Sequence, residues 1–171
     1  MSIDPITDDA LALGVLSGER SLATEIADIE AFGEIPIAVA SHVIGDLAAV
    51  LLILPHTPGP EASYDLDIYL AQRRSPESGW EALSQGGITL GGTPGDLREE
   101  EFYTGASSEL DVYVDGDYKR LRGVSGWAPS GWVVARHEGR EVDRIRVLPH
   151  GLFCFATCLP EDAEVEYSNE I

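Results

Sequence analysis

The sequence predicts a mainly β protein: an antiparallel two-layer β-sandwich or flattened barrel with one or two short N-terminal helices. Three observations carry this prediction. From Ile37 onward apolar and polar residues alternate with period two. Gly, Pro and Asp turn signals recur at intervals suited to short strands. Helical spacing is confined to the first 33 residues, so the chain reads as one domain over 1–171, with a helical segment at 1–33 and a β body at 37–167.

Asp8-Asp9 precede the apolar stretch Ala10–Leu16, as acids do at the start of a helix. A second helical stretch is predicted from Ser21 to Phe32, with Leu22, Ile26 and Ile29 on one face and Gly33 ending it. Pro36 prevents continuation. The most apolar window, Ile37–Pro55, contains His42, Gly45 and Asp46 near its centre, so it reads as a buried hairpin turning at Gly45-Asp46 and not as a membrane span.

The clearest strand is Tyr64–Leu70. Tyr64, Leu66, Ile68 and Leu70 share one face, and Asp65, Asp67 and Tyr69 the other. Leu110, Val112 and Val114 alternate with Glu109, Asp111, Tyr113 and Asp115 in the same way. One face of each strand is expected to be buried and the other wet. Asp115-Gly116-Asp117 is a turn, Arg120–Trp127 a further strand, and Glu138-Gly139 a hairpin connection between Trp132–His137 and Arg140–Leu148. Leu152–Leu159 is apolar on both faces and is expected to be central or covered. The tail from Glu161 is expected to close as an edge strand. Roughly eight to ten strands are expected, with high contact order. His56–Ser63 and Gly86–Gly105 break the rhythm, are rich in Gly or Pro, and read as long loops.

Thirty acidic residues against eleven basic ones give a formal net charge of −19. A surface of that sign repels a phosphate backbone and an anionic membrane, so neither nucleic acid nor membrane is expected as partner. Lys119 is the sole lysine, an Arg bias that fits a bacterial or archaeal host with a GC-rich genome. Met1–Asp9 carries no Lys or Arg ahead of an apolar run, which speaks against a signal peptide. Cys154 and Cys158 stand about 13 Å apart if their strand is extended, too far for a disulfide. Two reduced, buried thiols fit a cytoplasmic protein.

No catalytic or cofactor signature emerges. His56 and His150 end two Leu-Pro-His strand termini and read as turn-exposed; His150 and Cys154 lie too far apart on a strand to chelate one ion, so no metal is expected. The glycine runs lack the Lys-Ser/Thr of a phosphate loop, and Gly123-Val124-Ser125-Gly126 lacks the spacing of a nucleophile elbow. Phe153 and Phe155 flank Cys154, an apolar setting for a structural thiol. Trp80, Trp127 and Trp132 could line a carbohydrate platform only if exposed.

The sequence therefore points to a non-catalytic protein-binding or regulatory protein. Its predicted partner-binding face comprises Asp65, Asp67, Tyr69, Glu109, Asp111, Tyr113 and Asp115, one patch if the two strands are neighbours. Tyrosines among carboxylates suit a basic protein surface, because the rings supply rigid contact area and the acids meet Arg or Lys. The alternative is a small enzyme or a small-molecule or carbohydrate binder, with its site in the 86–105 loop or near His150.

Overall fold

A computed structural model describes residues 7–55, 62–94 and 101–171. Two helices, α1 (Asp8–Ser17) and α2 (Ile26–Glu30), precede the strands. These are β1 (Ile37–Ile44), β2 (Leu47–Pro55), β3 (Ser63–Gln72), β4 (Glu81–Gly91), β5 (Tyr103–Val114), β6 (Asp117–Trp127), β7 (Trp132–His137), β8 (Arg140–Arg146), β9 (Leu152–Leu159) and β10 (Glu166–Glu170). They form three antiparallel sheets, in the orders β1-β2-β3-β4, β5-β6-β9 and β10-β7-β8. No helix among the described residues is long and apolar enough to cross a membrane.

The first two sheets face each other as a sandwich. Leu51, Ile53, Leu66, Ile68 and Leu70 meet Val112, Leu121, Leu152, Cys154 and Ala156 in one buried cluster. At Gly123 a side chain would collide with Leu70 and Ile68, so β6 lies close against β3 there. The outer face of the first sheet is covered by α1, whose Leu11, Ala12, Val15 and Leu16 pack on Val50, Leu52, Leu54 and Tyr69. This explains why β2 is apolar on both faces. The third sheet covers the outer face of the second, with Val133, Ala135 and Ile145 against Phe153 and Phe155. The doubly apolar β9 is therefore covered on both sides, as its sequence implies.

The sheets meet along two seams with no ladder of backbone hydrogen bonds. At the β4–β5 seam Gly86 approaches so closely that a Cβ would lie 2.0 Å from the Ser107 carbonyl oxygen, and Ser84 Oγ meets Ser108 Oγ at 2.5 Å. At the β1–β9 seam His150 reaches Val39 and His42 reaches Ala156, positions that increase along both chains, so these two strands run in the same direction.

Several expectations are corrected. Gly86–Gly105 is not one long loop: β4 runs through Gly86-Gly87 and β5 begins at Tyr103. The glycines are there because nothing larger fits, Gly86 against Ser107 and Gly87 against the Asp67 carboxylate. The second helix is shorter than predicted; residues Ser21–Thr24 are not helical, and Glu25 and Asp28 form the capping box that starts α2. α1 lies across a sheet face, and α2 contributes Ile29 to the main core. His56 and residues 95–100 lie outside the described residues.

Gly86→Ala should lower the unfolding free energy by about 3 kcal/mol, because a rigid carbonyl blocks the new Cβ. Gly45 has open space around it, and its φ of +60° alone makes Gly45→Ala cost about 1 kcal/mol. Urea unfolding of the two variants checks the ranking, and equal losses would show that the β4–β5 seam can yield.

Candidate functional site

All three sheets converge at one end of the sandwich. The β1–β2 turn, the end of β3, the tip of the β5–β6 hairpin, β8 and β9 surround a cleft of about 640 Å³. His42 sits beside it and fixes the relative position of the sheets. Its Nδ1 accepts the Ala156 N–H of β9 at 2.9 Å, so Nε2 carries the proton and donates to the Asp143 carboxylate of β8, also at 2.9 Å. Its ring meets Phe155 edge-on at 4.6 Å. Burial holds the imidazole below its ordinary pKa, and Asp143 only partly opposes this.

His150 plays the same part further along the seam and is buried, which corrects its expected exposure at a turn. Nδ1 accepts the Leu152 N–H at 2.9 Å and Nε2 donates to the Val39 carbonyl at 2.8 Å. Burial lowers its pKa as well. With both ring nitrogens bound to backbone it neither ligates a metal nor activates a thiol. Cys154 is buried, its thiol directed at the Ala49 carbonyl and its pKa pushed up by burial. Cys158 is half-buried; burial also raises its pKa, against the pull of Lys119. Both cysteines are free. Among the described residues no three His, Cys, Asp or Glu side chains are grouped to hold a metal ion.

The seven residues predicted to face a partner separate into two groups, because β4 lies between β3 and the second sheet. On β3, Tyr69 is 7% exposed beneath α1, and burial pushes its phenol up to about 12. Asp67 is 8% exposed; it accepts from Gln85 Nε2 at 2.5 Å, and burial raises its pKa. Asp65 accepts from Thr89 Oγ1 at 2.6 Å. The wet face expected on this strand is therefore covered at Asp67 and Tyr69.

The β5 group is exposed. Glu109 and Asp111 face their cross-strand partners Arg122 and Arg120 at 3.4 and 3.1 Å, and Glu161 adds a contact to Arg120 at 2.9 Å. Nearer the turn, Tyr113 pairs with Tyr118 across the hairpin, edge to face, with ring centroids 5.0 Å apart. They are 60% and 71% exposed, and Asp115 and Asp117 flank the turn between them. The turn requires left-handed backbone at Asp115 and Gly116, which Asp and Gly tolerate.

The tryptophans do not form a platform. Trp127 is buried and donates to the His150 carbonyl at 3.3 Å, while Trp80 lies under Arg73 and Trp132 under Arg144 and Arg146. Sequence reasoning missed Tyr118 and the cleft cations Arg74 and Lys119. Tyr118 was readable from the hairpin register about Asp115-Gly116; the cations come together only through the packing of β3 against the second sheet.

The pH response follows from these burials. Both histidines have a lower pKa folded than unfolded, so the unfolded chain takes up more protons and stability is lost as pH falls below about 6.5. Urea unfolding between about pH 7 and 5 should show this slope, and His42→Gln should flatten it while lowering stability throughout. Asp67 has the opposite sign: its contribution is present below its unfolded pKa of 3.8 and lost as pH rises, so Asp67→Asn should preserve or raise stability at neutral pH. A loss at neutral pH in that variant would show that the Gln85 contact outweighs the buried charge. Comparison with protein families, curated proteins and solved structures finds no match, so the functional reading rests on this geometry.

Proposed function

We propose that the protein is a non-catalytic binding or regulatory protein that engages a basic protein surface with the tip of its β5–β6 hairpin. The observation that carries this reading is the exposed Tyr113–Tyr118 pair beside a turn that carries Asp115 and Asp117. Each tyrosine bears most of its ring in solvent, where ordinary folding would bury it. Two tyrosines packed edge to face present rigid contact area that loses little entropy on docking. Glu109 and Asp111 are engaged by Arg120 and Arg122, so the acids available to a partner are those at the turn. The net charge of −19 steers a cationic partner toward the molecule before contact. Two free cysteines on a single strand fit a reducing, cytoplasmic setting.

A fluorescent arginine-rich peptide titrated by anisotropy tests the proposal. Affinity should fall steeply between about 0.05 and 0.5 M salt. Tyr113→Ser with Tyr118→Ser should weaken binding about tenfold at constant charge. Asp115→Asn with Asp117→Asn should reduce the salt dependence. If both double variants bind as the wild type does, the attraction is that of net charge alone and the hairpin is not the docking surface.

A further inference from the structure

We infer that a second cavity, between the two facing sheets at the end of the sandwich away from the hairpin tip, is a binding site for a small neutral apolar molecule of about one-ring size. Leu66 of β3, Ile88 and Leu90 of β4, Tyr103 of β5 and Leu152 of β9 surround a space of about 210 Å³. Of the described residues that line it, none is charged. Ser125 is buried there, and its hydroxyl already gives its proton to the Ala106 carbonyl at 2.9 Å. Ile88 is 37% exposed, which places the mouth of the cavity on the β4–β5 seam.

One residue of the wall has no other evident task. Further along the seam β4 and β5 are in close contact, at Gly86 against Ser107 and at Ser84 against Ser108. Gly86 and Gly126 have to be glycine, because a Cβ would stand 2.0 Å from the Ser107 carbonyl oxygen in the first case and 2.2 Å from that of Tyr103 in the second. Gly105 is different. A Cβ there would meet Ile88 Cδ1 at 3.6 Å and Ser125 Oγ at 3.7 Å, which is ordinary van der Waals contact. Its φ lies outside the left-handed region, so the backbone does not call for glycine either. Those two nearest atoms belong to residues of the lining, and β5 carries its bulge at this point, between Thr104 and Ser107. What glycine does at position 105 is leave the cavity unfilled.

The walls select the occupant. Water is retained in a protein cavity by two to four polar partners, whereas an apolar cavity of about 150 Å³ stays dry and admits benzene or xenon. This cavity is somewhat larger than that and smaller than the roughly 300–1,000 Å³ of sites for drug-sized ligands, which limits the occupant to about one ring or a short hydrocarbon. A charged group entering it would lose its hydration with no counter-charge on the walls to replace it. The space lies between strands of both sheets, whose spacing is set by the Gly86–Ser107 contact, so it exists before a ligand enters.

Benzene and xenon serve as probes, with benzoate and benzylammonium as charged controls, followed by methyl chemical shifts of the full chain. Benzene should bind saturably, with shifts at Leu66, Ile88, Leu90 and Leu152, and xenon should shift the same methyls. Both charged controls should bind at least about tenfold more weakly. Gly105→Val should reduce benzene binding about tenfold by occupying the space, and Gly105→Ala by a smaller factor. Gly105→Ala meets no atom closer than 3.6 Å, so it should keep the fold and melt no lower than the wild type; it decides the matter should the larger side chain not be accommodated. Absence of saturable shifts with both probes, benzoate binding as tightly as benzene, or undiminished benzene binding by the position-105 variants would overturn the assignment.

Discussion

The architecture depends on how β1 and β9 are joined without a ladder. Two strands that lie side by side with unpaired backbone groups would leave buried donors and acceptors unsatisfied, at about 1–3 kcal/mol for each. Here two imidazoles fill the gap. His150 accepts from Leu152 and donates to Val39, and His42 accepts from Ala156 and donates to Asp143. A neutral histidine has one donor and one acceptor on opposite sides of a flat ring, which suits a bridge between elements that cannot reach each other directly. His42 does more than its counterpart, because its two partners belong to different sheets and it therefore ties the first sheet to both others.

The layers follow from this join and from the apolar content of β2 and β9. A strand apolar on both faces must be covered twice, and the chain meets that requirement with α1 on one outer face and a whole third sheet on the other. The acid excess is then confined to what remains outside. Part of it is neutralised across strands, as in the Arg120 and Arg122 contacts with Glu109, Asp111 and Glu161, and part is left at the hairpin tip.

Much of the fold was legible in the sequence. Period-two alternation located β3 and β5, turn chemistry located Gly45-Asp46, Asp115-Gly116 and Glu138-Gly139, and two-faced apolarity marked β9 as covered. The misreadings have physical causes. Gly86-Gly87 resembles a loop because glycine ordinarily marks one, whereas here it marks close approach to Ser107 and Asp67. Tyr69 and Asp67 look solvent-facing because alternation reports which face a residue is on and not what later covers it; α1, more than fifty positions earlier, covers Tyr69, and Gln85 and Gly87 of β4 close over Asp67. Of the proposed docking surface, Tyr113 and Asp115 were readable. Arg74 lies in the connection after β3 and Lys119 on β6, and no local pattern announces their meeting in one cleft.

The β1–β9 join also constrains the order in which the molecule can be completed. His42 and Ala156 are 114 positions apart, and Val39 and His150 are 111. During synthesis from the N-terminus, the meander of β1 to β4 can assemble from neighbouring segments, yet β1 keeps a bare flank until β9 has left the ribosome. At typical elongation rates that interval is on the order of ten seconds. An unsatisfied strand flank is a template for association with other chains. For that interval the nascent protein is at its most aggregation-prone, and the hazard ends when the two imidazoles find their backbone partners.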